Sequence, residues 1–226
     1  MTTRWCIPPE QNAAFVAQME DVLDVYERPY DPRYPQVCID EASKQLVGEV
    51  RTPLPATPGQ PAREDYEYER KGVANLFMVT EPLVGWRQVT VTDRRTSQDF
   101  AHVLKELVDV RYPAAERIEL VVDNLNTHTP AALYATFTPE EAHRINAKLE
   151  WHYTPVHGSW LDMAEIELSV LARQCLDQRF EDKSALKGAV AHWQARRNLA
   201  GAPIHWRFRT ADARSKLRHL YPSIFE

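Results

Sequence analysis

Short apolar runs and longer amphipathic stretches alternate along the chain. Gln36-Val37-Cys38-Ile39-Asp40 and Ile118-Glu119-Leu120-Val121-Val122-Asp123 are runs of the first kind, each ending in an acid. Gly72 to Thr80, Trp86 to Thr92 and Leu149 to Tyr153 are further runs of strand length, rich in β-branched and aromatic residues. The pair around Glu81-Pro82-Leu83-Val84-Gly85 reads as an antiparallel hairpin. Gln45 to Val50 reads as the hairpin partner of the first run, and the proline-rich stretch over 52–61 as an insertion within one domain.

Helical spacing appears between these runs. Phe15, Met19, Leu23 and Tyr26 or Val22 predict a helix over 9–26, opened by Pro8 and Pro9. Pro29, Pro32 and Pro35 prevent it from continuing. Thr96-Ser97-Gln98-Asp99 has the form of a capping box before a helix with Phe100, Val103, Leu104, Leu107 and Val108 on one face. Thr129-Pro130 and Thr138-Pro139 each place threonine at an N-cap and proline at the first helical position. Ser159 reads as the cap of a helix running to about Leu176 along Leu161, Ala164, Leu168, Leu171 and Cys175, with Asp162 at its N3 position. A last helix is predicted over 183–198. Helices inserted among strands predict an α/β sandwich around a mixed sheet. The expected division is an N-terminal helix and connector over 1–35, the sheet domain over 36–200, and an aromatic, basic tail over 201–226.

Composition narrows the classes. The 226 residues suffice for one sizeable core. No apolar run is long enough to span a bilayer and no signal-peptide pattern follows Met1, so a cytoplasmic setting is expected. Cys6, Cys38 and Cys175 are far apart, outside any CxxC pair, and read as reduced packing residues. No HxxxH pair occurs, so His128, His152 and His157 read as hydrogen-bonding histidines rather than zinc ligands; His128 and His157 stand where they could touch DNA phosphate or orient a ligand. Phosphate-binding glycine loops and a GxSxG elbow are lacking, which argues against nucleotide-dependent and serine-hydrolase chemistry. The net charge of −5 is unusual for a DNA-binding protein. Positive charge does gather at Arg196-Arg197, Arg207, Arg209, Arg214, Lys216 and Arg218, either as a binding patch or as solvated helix faces.

The sharpest chemical signal is positional. If the strands ending in Asp40 and Asp123 are parallel neighbours, both carboxylates emerge at one sheet edge, where open α/β sheets place ligands. Glu165 falls one turn inside a helix, at the edge of its apolar stripe, and can point along that same edge. Converging carboxylates repel unless a cation lies between them, and hard oxygen donors suit magnesium or manganese. Other readings stand beside this one: Asp40 as a turn cap with Ser43, Glu165 as a solvated helix residue, Glu167 as the alternative acid on the other flank, and Glu41 facing away from Asp40.

Three segments carry a family resemblance. Val37-Cys38-Ile39-Asp40-Glu41-Ala42-Ser43-Lys44-Gln45-Leu46, Val121-Val122-Asp123-Asn124-Leu125-Asn126-Thr127-His128 and His157-Gly158-Ser159-Trp160-Leu161-Asp162-Met163-Ala164-Glu165-Ile166-Glu167 resemble, in order, the three acidic blocks of mariner-like bacterial insertion-sequence transposases. The resemblance implies a ribonuclease H-like mixed sheet flanked by helices. It implies Asp40, Asp123 and Glu165 as catalytic, metal-binding residues for two Mg2+ or Mn2+ ions. It also implies cleavage of double-stranded DNA at element ends, joining of the 3′-hydroxyl to target DNA, and a homodimer assembled on DNA. Asp162 stands where such proteins often carry asparagine, and the Asp123–Glu165 interval is long for the wider superfamily. The helix-turn-helix region that such transposases carry at their amino end has no counterpart in this sequence. A non-catalytic DNA-binding or dimerisation remnant is therefore the competing expectation.

Overall fold

The computed structural model describes residue 8 and residues 10–52, 54–63 and 66–222; Cys6 and Pro9 lie outside them. Five strands share one sheet in the order β3-β2-β1-β4-β5. They are β1 (Gln36–Glu49), β2 (Tyr68–Glu81), β3 (Trp86–Thr92), β4 (Ile118–Val122) and β5 (Leu149–Tyr153). The β1–β2 and β2–β3 pairs are antiparallel, whereas β1–β4 and β4–β5 are parallel. This is the mixed sheet expected from helices interleaved with strands.

One strand differs from the sequence reading. Gln45 to Glu49 is not the hairpin partner of residues 36–40 but the far half of β1 itself, and its partner is β2. The reason is local: Glu41-Ala42-Ser43-Lys44 supplies none of the glycine, proline or asparagine that a tight reversal requires. The pairing therefore runs from Cys38↔Thr80 to Glu49↔Tyr68, with a register break at Leu46/Val47. The proline-rich stretch becomes the β1–β2 connection, pinched by bridges between Leu54 and Arg63 and between Thr57 and Gln60.

Alternation along the strands divides the core in two. Cys38, Leu46, Leu76, Met78 and Val121 face one side, together with buried residues of α1 (Ala13–Glu27), α5 (Met163–Leu171) and α6 (Lys183–Ala200). Val37, Ile39, Phe77, Leu120 and Val122 face the other, under α2 (Ser97–Glu106), α3 (Ala131–Tyr134) and α4 (Pro139–Asn146). Buried on both faces, β4 reads as an unbroken apolar run apart from Glu119.

Caps set most helix starts. The Thr96–Asp99 capping box is present, and the Thr138 hydroxyl accepts the N–H of Glu141 with Pro139 in the first turn. Three starts differ from expectation. Asn12, whose side chain accepts the Phe15 N–H at 2.9 Å, caps α1, so that helix begins at Ala13 and not at the prolines. Pro130 itself occupies the cap position of the short α3, without a side-chain cap. Ser159–Leu161 forms a single 3-10 turn, and Asp162 is the N-cap of α5 rather than its N3 residue. The segment after Gly201 packs against the α1-side core through Trp206, Phe208, Leu217 and Leu220 and carries α7 (Thr210–Lys216). Arg214 of α7 pairs with Glu20 of α1 at 2.7 Å, and Thr210 bonds Asp24, so part of the basic cluster serves packing.

A buried ion network joins β3, α5 and α6. Arg87 and Glu167 have fully buried side chains and meet at 3.1 Å, and Arg197 reaches the same carboxylate at 2.9 Å. Arg87 also donates to the carbonyl oxygens of Gly85, Arg197 and Ala202. Removing one partner from such a pair strands the other charge in the core. Glu167→Ala is expected to cost about 3–5 kcal/mol in urea unfolding. Glu165→Gln, which removes a partly buried charge that lies among other acids, is expected to leave stability unchanged or raise it. Equal losses in the two variants would contradict these placements.

Candidate active site

Ile39↔Val122 is the last parallel pair of β1 and β4. Asp40 and Asp123 are the next residues on each strand, so they leave neighbouring strands at the same level. There β4 ends while β1 runs on, so Asp40 marks the loss of its parallel neighbour and not the end of its own strand. α5 packs on β1 and β2 and brings Asp162 and Glu165 to this edge.

The acids feel one another. Asp40 has its carboxyl pushed up to about 7, chiefly by burial; the Glu41 N–H opposes the rise, and the charges of Asp123, Glu41 and Glu165 add to it. Asp162 is enclosed, and burial and then the charge of Asp40 hold it well above the usual carboxylate range. Its Oδ1 accepts the Ala164 N–H at 2.8 Å, while its buried Oδ2 has no partner. Asp40 thus lies within electrostatic reach of Asp123, Glu165 and Asp162, although among the described residues Asp40, Asp123 and Glu165 do not bring three ligand atoms within 4.8 Å of one another. Glu167 is not among these acids. Two residues on from Glu165, it lies on the far side of α5, in the Arg87–Arg197 network.

Two neighbours shape the site. His128 is fully buried, so it cannot touch DNA phosphate. Its Nδ1 contacts Asp123 Oδ1, and its Nε2 lies 3.0 Å from Glu41 Oε1. Burial alone would depress the imidazolium, but Asp123 and Glu41 outweigh it and hold it up at about 9. The ring is therefore a cation at neutral pH that orients Asp123. Although Glu41, Asp123 and His128 lie close enough to share an ion, the charged imidazole already supplies the positive charge. Glu41 does face away from Asp40, as strand alternation predicts, and this places it under His128. On the other side, the Tyr26 hydroxyl donates to the Leu161 carbonyl at 2.7 Å and fixes the turn that delivers Asp162.

Two open clefts flank the carboxylates. Trp160, Asp162, Glu165, Ser169 and Arg173 line one. Asp123, Asn124, Thr154, His157 and Ser159 line the other. His157 there adopts φ 67°, a left-handed backbone uncommon outside glycine and one that recurs at ligand clamps. His152 lies on β5, in a separate cluster, bonded to Asp21.

Because His128 binds its proton more tightly when folded, its contribution is full below its ordinary value of 6.5 and is lost as pH rises through about 9. In the presence of a chelator, wild type should exceed His128→Gln in unfolding free energy by roughly 3 kcal/mol near pH 6, the worth of a shift of this size. The difference should shrink toward pH 10. A difference independent of pH would contradict the charged bridge.

No curated protein matches the chain. Solved structures do resemble it, at identities that speak for the fold. The Mos1 mariner paired end complex with Mn is 20% identical with a TM-score of 0.52, over 89% of this chain and 62% of that chain. The paired end complex of mariner Mos1 with Mg is 18% identical with a TM-score of 0.55, over 99% of this chain and 67% of that one. A pre-cleavage Mos1 transpososome gives 18% identity and a TM-score of 0.57, over 100% and 68%. The mixed sheet with its flanking helices is the expected ribonuclease H-like fold and is similar to that of these Mos1 structures. The chain spans 62% of the length of the first of these relatives. The family model of the DDE superfamily endonucleases matches residues 35–187, more than half of the chain, from the start of β1 into α6. The chain belongs to the DDE superfamily endonucleases.

Proposed function

We propose that this chain is the catalytic core of a DNA transposase, in which Asp40, Asp123 and Glu165 hold two divalent ions, Mg2+ or Mn2+. The observation that carries this reading is the convergence of the three acids where β4 ends beside β1. The donor set fits such ions. It consists of carboxylate oxygens, its charges add to the burial that raises Asp40, and it leaves a buried Asp162 oxygen without a partner. Bound divalent ions supply Lewis-acid activation of the attacking oxygen and stabilise the leaving oxygen of a phosphodiester.

The chain's own residues do the positioning. His128 fixes Asp123 from behind, Tyr26 fixes the turn before Asp162, and the flanking clefts admit a strand to either side. In the proposed reaction water attacks a phosphodiester of double-stranded DNA and a P–O bond breaks to leave a 3′-hydroxyl. That hydroxyl then attacks a second phosphodiester, forming one P–O bond as another breaks and a new 3′-hydroxyl departs. The Mos1 structures are paired-end, transpososome and strand-transfer complexes. By that likeness, two copies of this chain act together on DNA.

Wild-type chain should nick supercoiled plasmid in manganese. Asp40→Asn, Asp123→Asn and Glu165→Gln should each lower the rate by about 10²–10³-fold, the scale of losing one charge-stabilising group. Nicking at the wild-type rate in all three would overturn the assignment, and DNA binding without nicking by wild type would favour a non-catalytic remnant.

A second test uses Asp40. Its folded pKa lies above its ordinary value of 3.8, so ionisation costs stability that rises from pH 4 and is complete above about 7. A bound ion needs the ionised form and removes that cost. The rise in Tm caused by manganese should therefore be small at pH 5.5 and grow through pH 7 to 8. A rise that is equal at both ends would contradict metal binding at this carboxylate.

A further inference from the structure

A second titratable cluster lies on the same face of the sheet, four residues back along β1 and β4 from the candidate site, about 13 Å away. Glu119 of β4 pairs with Glu150 of β5, and Val121 pairs with His152. Alternation places Glu119, Glu150 and His152 on the face beneath α1. The contact between His152 Nδ1 and Asp21 Oδ2 of α1, at 2.8 Å, agrees with that placement. One ligand atom from each of Glu119, Glu150 and His152 lies within 4.8 Å of the others.

His152 turns this acidic cluster into a site. The residue is 4% exposed, and its Nε2 is buried without a hydrogen-bond partner. That atom points between two carboxylates, 3.4 Å from Glu119 Oε2 and 3.8 Å from Glu150 Oε1. Both separations exceed the range of about 2.7–3.2 Å for a hydrogen bond. They approach the spacing of ligands around tetrahedral zinc: atoms about 2.0–2.1 Å from the metal stand roughly 3.3 Å apart. With Nδ1–H donating to Asp21, Nε2 presents a lone pair, the tautomer a metal requires. A carboxylate behind a histidine is the usual arrangement for orienting such a ligand. Gln36, facing Glu119 across the β1–β4 ladder, contributes a second buried polar atom without a partner, its Oε1.

We infer that Glu119, Glu150 and His152 form a binding site for a zinc-class divalent cation, oriented by Asp21 and separate from the acids at the sheet edge. One imidazole with two carboxylates suits zinc better than magnesium, which favours oxygen throughout. Arg28 is the competitor. Its guanidinium pairs with Glu119 and reaches Glu150 at 4.0 Å, with its side chain 43% exposed, while Arg117 pairs with the other Glu150 oxygen at 3.2 Å. Metal and Arg28 are thus alternative counter-charges for the same two carboxylates. An ion there would tie α1 to the edge strand β5, and α1 carries the Tyr26 that fixes the turn before Asp162.

The test uses the full chain with Asp40→Asn, Asp123→Asn and Glu165→Gln, so that the sheet-edge acids no longer compete for metal. Zinc binding is read by equilibrium dialysis, and cobalt by its visible absorption, whose intensity reports tetrahedral coordination. One zinc per chain is expected, lost in His152→Gln and weakened about 10- to 100-fold by Asp21→Asn. Arg28→Gln should bind more tightly, a gain that misfolding cannot imitate. If His152→Gln fails to fold by circular dichroism, the half-buried Glu150→Gln replaces it, with the same loss expected. Absence of zinc binding, or binding undiminished by the His152 or Glu150 substitution, would overturn the site. So would an affinity unmoved or reduced by Arg28→Gln, since Arg28 would then not compete with metal for the carboxylates.

Discussion

The parallel pairing of β1 with β4, and the point at which it stops, governs this molecule. Four pairs, Gln36↔Glu119 to Ile39↔Val122, hold the two strands in step. Their apolar side chains are buried on both faces, so the register resists slipping: a shift of one residue would turn each side chain to the wrong layer. That fixed register makes Asp40 and Asp123 neighbours. Ionising Asp40 there is costly, chiefly because it is buried and further because the charges of Asp123, Glu41 and Glu165 lie near it. Burial elsewhere in the fold outweighs that cost, which is the usual condition for strain at a functional site.

Helix α5 supplies the other half of the site and divides its acids by helical geometry alone. Glu165 and Glu167 are two residues apart and so face in different directions. Glu165 joins the acids, whereas Glu167 enters the core to meet Arg87 and Arg197. The same helix therefore presents one carboxylate to the sheet edge and uses another as an anchor. Asp162 links the two roles, capping α5 through Ala164 while feeling the charge of Asp40 and keeping a buried oxygen without a partner.

Much of this was legible in the sequence. The apolar runs located all five strands, the Thr96 and Thr138 caps located two helices, and the acid at the end of each run marked Asp40 and Asp123. What escaped depends on pairing, which a linear pattern does not contain. β1 was cut short because Glu41 to Lys44 look polar, yet they continue the ladder with β2. His128 follows Asp123 by five residues, a spacing that matches no ligand motif, and only the loop fold turns its ring between Asp123 and Glu41. Glu119, Glu150 and His152 lie on two strands and meet only through the β4–β5 register, so the absence of an HxxxH pair said nothing about them.

Anomalous scattering from manganese-soaked crystals of this chain with DNA bound tests the central claim most directly. The account predicts manganese coordinated by Asp40, Asp123 and Glu165, with Glu167 still paired to Arg87 in the core. Ordered crystals with manganese absent from those three carboxylates, or with Glu167 in place of Glu165 at the metal, would contradict it.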